Sequence, residues 1–179
     1  MAALPGTRRH GIRHTEGLDV AVTDGTTAFV EHLRAAGFPE ALHYDVITDP
    51  APTGPWQLVF ASAVLLHVPR ELLSRVLGRL RDETVPGGHL IASLKTGRPE
   101  GWSSHKLDAP RWFTYCTAPD LDEVLQDSGW ASRAMEEEGG RSDRWLVVHA
   151  QRPGRRRSGR HSEGTASETA EDSPSWGIP

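Results

Sequence analysis

The spacing of apolar residues changes along the chain, and the clearest change lies between Trp56 and Lys95. Trp56–Ser62 is a nearly continuous apolar run with β-forming side chains, the composition of a strand buried on both faces. In Arg70–Asp82, Leu72, Leu73, Val76, Leu77 and Leu80 recur at helical spacing and line one face, while Arg70, Glu71, Arg75, Arg79 and Arg81 take the other. Pro69 suits the first helical turn, where its missing N–H has no partner in any case. Pro86-Gly87-Gly88 then breaks the helix, and His89–Leu94 is a second apolar strand. Strand, helix and strand joined by short turns predict a parallel, right-handed crossover unit.

On either side the pattern is plainer. Leu18–Thr23 predicts a strand that ends at Asp24-Gly25, and Thr26–Ala36 a helix burying Phe29, Val30 and Leu33, stopped by Gly37. Ala41–Val46 is a third strand, and the proline-rich Asp49–Pro55 a loop. After the crossover, Thr96–Cys116 is a long segment rich in Gly, Pro and aromatics; its aromatic residues argue for burial. Thr117, with Asp120 three residues on, opens a helix that buries Leu121, Val124 and Leu125 and ends at Gly129. Trp130–Glu137 and Arg144–Gln151 flank a Gly-Gly turn and read as a hairpin. Residues 1–17 show no apolar face, and residues 153–179 are Gly, Ser, Pro and charge with almost nothing to bury. The expected organisation is an irregular front end at 1–17, one α/β domain at 18–152 and a disordered tail at 153–179.

Composition narrows the function. A net charge of −4 and a pI near 6.1 argue against a dedicated nucleic-acid binder. The Arg155-Arg156-Arg157 cluster in the tail is nearly balanced by acidic neighbours. The single Cys116 excludes an intrachain disulfide and a cysteine-rich metal site, and His10 and His14 lack a third ligand, so no metal is expected. No apolar run reaches membrane-spanning length and Met1–Leu4 lacks the apolar segment of a signal peptide, so the expectation is a cytoplasmic protein with no membrane partner.

The order AVLLHVP after a buried strand, then a helix, then VPGGHLIASLK resembles the second half of a class I S-adenosylmethionine (SAM)-dependent methyltransferase. The resemblance spans Leu18–Arg152, and the PGG turn is its best local marker. It departs at Gln57, where the family usually has Asp, and at Thr84, where it usually has an apolar residue. The implied fold is a three-layer, doubly wound Rossmann-like α/β sheet, mostly parallel with a C-terminal antiparallel hairpin. The family's first strand and glycine-rich loop have no counterpart, except that Pro5-Gly6-Thr7 resembles the tail end of such a loop. The chain therefore reads as truncated at its front, with apolar strand edges open to self-association.

The implied cofactor is SAM and the implied substrate a small molecule carrying a nucleophile. An acid at the end of the second strand binds ribose hydroxyls in such folds, which points to Asp24 with Gly25; its other reading is a helix cap. Asp45 with Val46 matches the adenine position, with a plain loop aspartate as the alternative. Ser62 lies at the carboxyl end of the organising strand, where open α/β sheets bind ligands. His67 follows it, as a proton acceptor or a helix cap. Trp102, Arg111 and Tyr115 are the substrate-facing candidates in the long segment, against core packing or a surface ion pair. Because SAM is already activated, catalysis needs positioning and exclusion of water more than a catalytic triad. Two competing readings are a truncated or degenerate domain that serves as a binding or interaction module, and a nicotinamide-dependent oxidoreductase. The latter is disfavoured because the chain contains no G-x-G-x-x-G.

Overall fold

The computed structural model describes residues 2–3, 12–15, 18–52, 54–104, 110–139 and 144–154. In chain order its elements are β1 (Ala2–Ala3), β2 (Ile12–Thr15), β3 (Leu18–Ala21), β4 (Thr23–Asp24), α1 (Thr27–Ala35), β5 (Leu42–His43) and β6 (Trp56–Ser62). A single 3-10 turn at Leu65–His67 leads to α2 (Arg70–Asp82), β7 (Thr84–Thr96), β8 (Gly101–Ser103), β9 (Arg111–Phe113), α3 (Ala118–Asp127), β10 (Ala131–Gly139) and β11 (Arg144–Gln151). Seven strands make the main sheet in the order β10-β11-β7-β6-β1-β3-β2, with β4–β5 and β8–β9 as separate pairs. The predicted α/β architecture is present, with the parallel β6–β7 crossover and the closing antiparallel hairpin β10–β11. The expectation of a mostly parallel sheet is corrected: among the described residues β6–β7 is the one parallel pair of the main sheet, because β1 and β11 both run against their neighbours.

Apolar residues of β6, β7 and β11 alternate sides, and one side packs under α2 and α3. Val59, Ala61, Leu90, Ala92, Leu146 and Val148 meet Leu73, Leu77, Leu80, Leu121 and Leu125 in one buried cluster. Trp130 joins it and donates its indole N–H to the carbonyl of Leu77 at 2.9 Å. Thr117 caps α3 as predicted, in a reciprocal capping box with Asp120.

Several boundaries differ from expectation for identifiable reasons. Pro69 is the N-cap of α2, with an extended ψ of 142°, and Arg70 is the first helical residue. The helix itself spans Arg70–Asp82 as its apolar spacing predicts, and Arg152 from the far end of the chain donates to the carbonyls of Arg81, Asp82 and Thr84 just before the PGG turn. PGG lies inside the long strand β7. Gly87 has a φ of 83°, and a Cβ on Gly88 would stand 2.6 Å from the Thr84 methyl and 2.9 Å from the Val85 carbonyl oxygen. Both glycines are therefore dictated by backbone conformation and space. The expected Leu18–Thr23 strand divides: β3 joins the main sheet, whereas β4 turns away to pair in parallel with β5. The third strand shrinks from Ala41–Val46 to Leu42–His43, because Asp45 starts a hydrogen-bonded turn. Phe29, expected to be buried, is 51 % exposed, and Val30 carries the buried face of α1.

The slot of the first strand is occupied, which corrects the expectation of a gap. β1 lies between β3 and β6, antiparallel to both, with Ala2 opposite Val20 and Leu58, and Ala3 opposite Asp19 and Trp56. Two strand edges facing each other would leave backbone groups unpaired, and a short inserted segment satisfies some of them. β1 reaches only Trp56 and Leu58 of β6, so Val59–Ser62 lie beyond its cover. The candidate loop residues Pro5-Gly6-Thr7, the histidines His10 and His14 (the latter beyond its backbone), and the tail from residue 155 lie outside the described residues. Among the described residues, no helix is long and apolar enough to cross a membrane.

Candidate active site

β6 and β7 run in parallel in the main sheet and β4 and β5 run in parallel as a separate pair, and the sequence candidates that follow these strands fall in two groups. The first surrounds Asp24. One of its oxygens accepts from the Thr26 N–H at 2.7 Å, a tight turn ahead of α1, and the other has no protein partner among the described residues. Because β4 and β5 are parallel, the loops after them are neighbours, and a Cβ on Gly25 would lie 3.6 Å from the Cα of Asp45. Asp45 is occupied locally: its Oδ1 accepts from the Ile47 N–H and its own N–H donates to Asp49 Oδ2, both at 2.8 Å. The carbonyl of Val46 is taken by Arg79, which also donates to the carbonyls of Ile47 and Asp49, each at 2.9 Å. Arg79 of α2 thus clamps the 45–49 turn to the crossover unit.

The second group is built on His67. Its Nδ1 lies 2.8 Å from the carbonyl of Trp112, an acceptor only, so Nδ1 carries the proton and Nε2 holds the lone pair of the neutral ring. Burial lowers the pKa of the imidazole below 6.5; the Trp112 bond opposes this, and the cations Arg111 and Lys95 add to it. The segment after β9 is fastened to the 3-10 turn at further points. The Thr114 N–H donates to the Leu66 carbonyl at 2.7 Å, and its hydroxyl donates to the Val68 carbonyl at 2.7 Å. Phe113 stands with its ring 4.9 Å from that of His67. Lys95, only 5 % exposed, holds its ammonium 4.5 Å from the Phe113 ring and 5.6 Å from that of Trp145. Trp145 in turn lines a groove of about 370 Å³ with Phe60, Ser62, Ile91, Ser93 and Glu138.

Of the substrate candidates, Arg111 is exposed beside His67, as its effect on that ring requires. Tyr115 is buried in packing against Phe113, with 9 % of its surface exposed, and its carbonyl accepts from Arg70. Trp102, 72 % exposed, meets Trp112 edge-on at 5.8 Å. Ser62 Oγ lies 3.5 Å from Ser93 Oγ, which also accepts from the Ala63 N–H at 2.9 Å. Ala63 adopts a φ of 53°, a left-handed conformation that is costly for an L-residue with a Cβ. Lys95, Thr114, Trp145 and Arg79 were not singled out by sequence reasoning. Only Lys95, at the end of the second crossover strand, carried a positional signal; the others reach the site through contacts between distant segments.

The fold is that of the class I, Rossmann-like methyltransferases. A SAM-dependent methyltransferase from Mesorhizobium loti superposes with a TM-score of 0.59 at 17 % identity, over 73 % of this chain and 78 % of its own. One from Methanosarcina mazei gives 0.60 at 13 % identity, over 74 % and 81 %. The 1,6-didemethyltoxoflavin-N1-methyltransferase of Burkholderia thailandensis gives 0.57 at 15 % identity, over 73 % and 60 %. No family model matches the chain, and no curated protein matches it in sequence.

Among the described residues the second carboxylate oxygen of Asp24 has no protein partner, so this side chain fits a diol such as the ribose of SAM. For the methionine end the geometry differs from the family pattern. β1 runs antiparallel to β6, with Ala2 opposite Leu58 and Ala3 opposite Trp56. No glycine loop stands at the carboxyl edge among the described residues.

Proposed function

We propose that the chain is a SAM-dependent methyltransferase acting on a small molecule with a protonated nucleophile. The observation that carries this reading is His67, fixed on a methyltransferase fold with its proton at Nδ1 and its Nε2 lone pair available. Burial and two nearby cations favour the neutral ring, the form that accepts a proton at neutral pH. Asp24 holds the ribose, with Gly25 and the Asp45–Val46 turn beside it and Ser62 at the centre of the edge. SAM supplies an activated methyl group on a sulfonium. His67 Nε2 takes the acceptor's proton, and Arg111, Trp102 and the Phe113–Tyr115 segment orient the acceptor and exclude water. The Burkholderia thailandensis neighbour was crystallised with 1,6-didemethyltoxoflavin and S-adenosylhomocysteine, which supports a small-molecule acceptor.

Calorimetric titration with SAM tests the reading. Asp24→Ala should weaken binding about ten-fold or more, because a hydrogen bond to a charged group is worth roughly 1.5–3 kcal/mol. The melting temperature should barely move, since only the Thr26 contact is lost. Unchanged affinity in the folded variant would leave Asp24 as a turn residue alone, and no binding by the natural chain at about 1 mM SAM would overturn the assignment.

A further inference from the structure

Among the described residues, helices cover one face of the main sheet and leave the other without a helix over it. Helices α2 and α3 cover the first. On the other, Leu58, Phe60, Ile91, Trp145 and Val147 alternate with the core residues of the same strands, and Phe60 at its centre is 56 % exposed. The groove on this side is lined by strand residues and Ala63, with no helix residue among them. The reason is topological. Helices reach the faces of a sheet through parallel crossovers; here the β6–α2–β7 crossover serves the other side, the parallel β4–α1–β5 unit belongs to a separate strand pair, β1 is antiparallel, and β2–β3 pair antiparallel. An apolar sheet face of this kind marks an association surface.

We infer that the bare face is the contact between two copies of this chain, packed face to face about a two-fold axis perpendicular to the strands. The charge pattern selects that occupant. Glu136 and Glu138, opposite Val147 and Trp145 on β11, stand at the carboxyl end of the face. At its other end, Arg133 bulges from β10 and donates to Gln151 Oε1 at 3.0 Å, next to the paired rings of His89 and His149. A two-fold axis across the strands places the glutamates of one copy over the arginine of the other, with Phe60 and Ile91 meeting between them. Aligned sheets pack this way at about 10 Å separation. Edge-to-edge addition is the poorer route, because three successive glutamates, Glu136 to Glu138, charge the outer strand.

Sedimentation of the full chain from about 1 µM to about 300 µM reads the association directly. The expected species is a dimer, with Phe60→Glu monomeric at every concentration and still folded by circular dichroism, because that side chain is already mostly exposed; its melting temperature should match that of the natural chain diluted to the monomer. Glu136→Arg with Glu138→Arg should loosen the dimer about ten-fold or more, since like charges then face each other. Adding Arg133→Glu to that pair should restore it. A natural chain that stays monomeric throughout, a mass that climbs past two chains, a dimeric Phe60→Glu, or a triple variant no tighter than the double would each overturn the inference. The first two outcomes need no variant to fold.

Discussion

The two ends of the described structure are held together by different means. From Trp56 to Arg152, main-sheet strands of seven to thirteen residues carry a buried cluster under two amphipathic helices. Before Trp56, strands are two to four residues long, and only Ala21 belongs fully to that cluster. Burial of apolar surface organises the first region, whereas the second depends on polar links to backbone: Arg79 on the 45–49 turn, Arg34 forked onto the Ala41 carbonyl, Asp24 on Thr26. The candidate site is divided along the same line. Its proposed proton acceptor stands on the firmly packed region and its proposed ribose ligand on the lightly built one. Hydrophobic area sets where a fold is rigid, and a binding edge can be made from either kind of support.

That contrast can be broken most directly in the core. Leu77→Ala removes a fully buried side chain and should cost about 2–5 kcal/mol. Phe29→Ala, on the exposed side of α1, should stay within about 0.5 kcal/mol. Urea denaturation of the two variants measures the difference, and similar midpoints would show that the two regions are not unequal. Next in size, Arg79→Met keeps the aliphatic stem but removes three bonds from a charged donor. It should cost about 1.5–3 kcal/mol and deprotect the amides of residues 45–49 to hydrogen exchange while leaving those of β7 protected. Loss of protection in both places would mean that the two regions unfold as one.

The smallest expected effect concerns His67. Its folded pKa is lowered from 6.5, so the unfolded chain binds the proton more readily. The stability linked to the neutral ring is therefore present above about pH 6.5 and is lost as pH falls through the lower folded value. Melting curves across that range should steepen in the natural chain and flatten in His67→Gln. Nitrogen-15 shifts of the ring should show Nδ1 protonated at neutral pH; an Nε2–H tautomer would remove His67 as the base.

Local periodicity was enough to predict α2, α3, the β6–β7 crossover and the hairpin, because each is defined by neighbours within a few residues. Thr117 with Asp120 marked its cap for the same reason. The span Arg70–Asp82 of α2 was legible too, but not what holds its C-terminal end, since Arg152, remote in sequence, takes the last carbonyls of the helix. Nor were the partners of the arginines on its polar face, where Arg79 and Arg81 bind the carbonyls of distant turns. His67 and Asp24 could be named from their places after strands. The tautomer of His67 could not, because it depends on a carbonyl 45 residues away. The bare sheet face was also decided only in three dimensions. Strand sequence records that Phe60 and Ile91 are apolar, but whether a helix lies over them depends on the direction of β1 and on which side the crossover passes. Sequence therefore determined the short-range elements and their apolar faces, and tertiary structure alone decided which faces met, because pairing between distant segments leaves no local periodic trace.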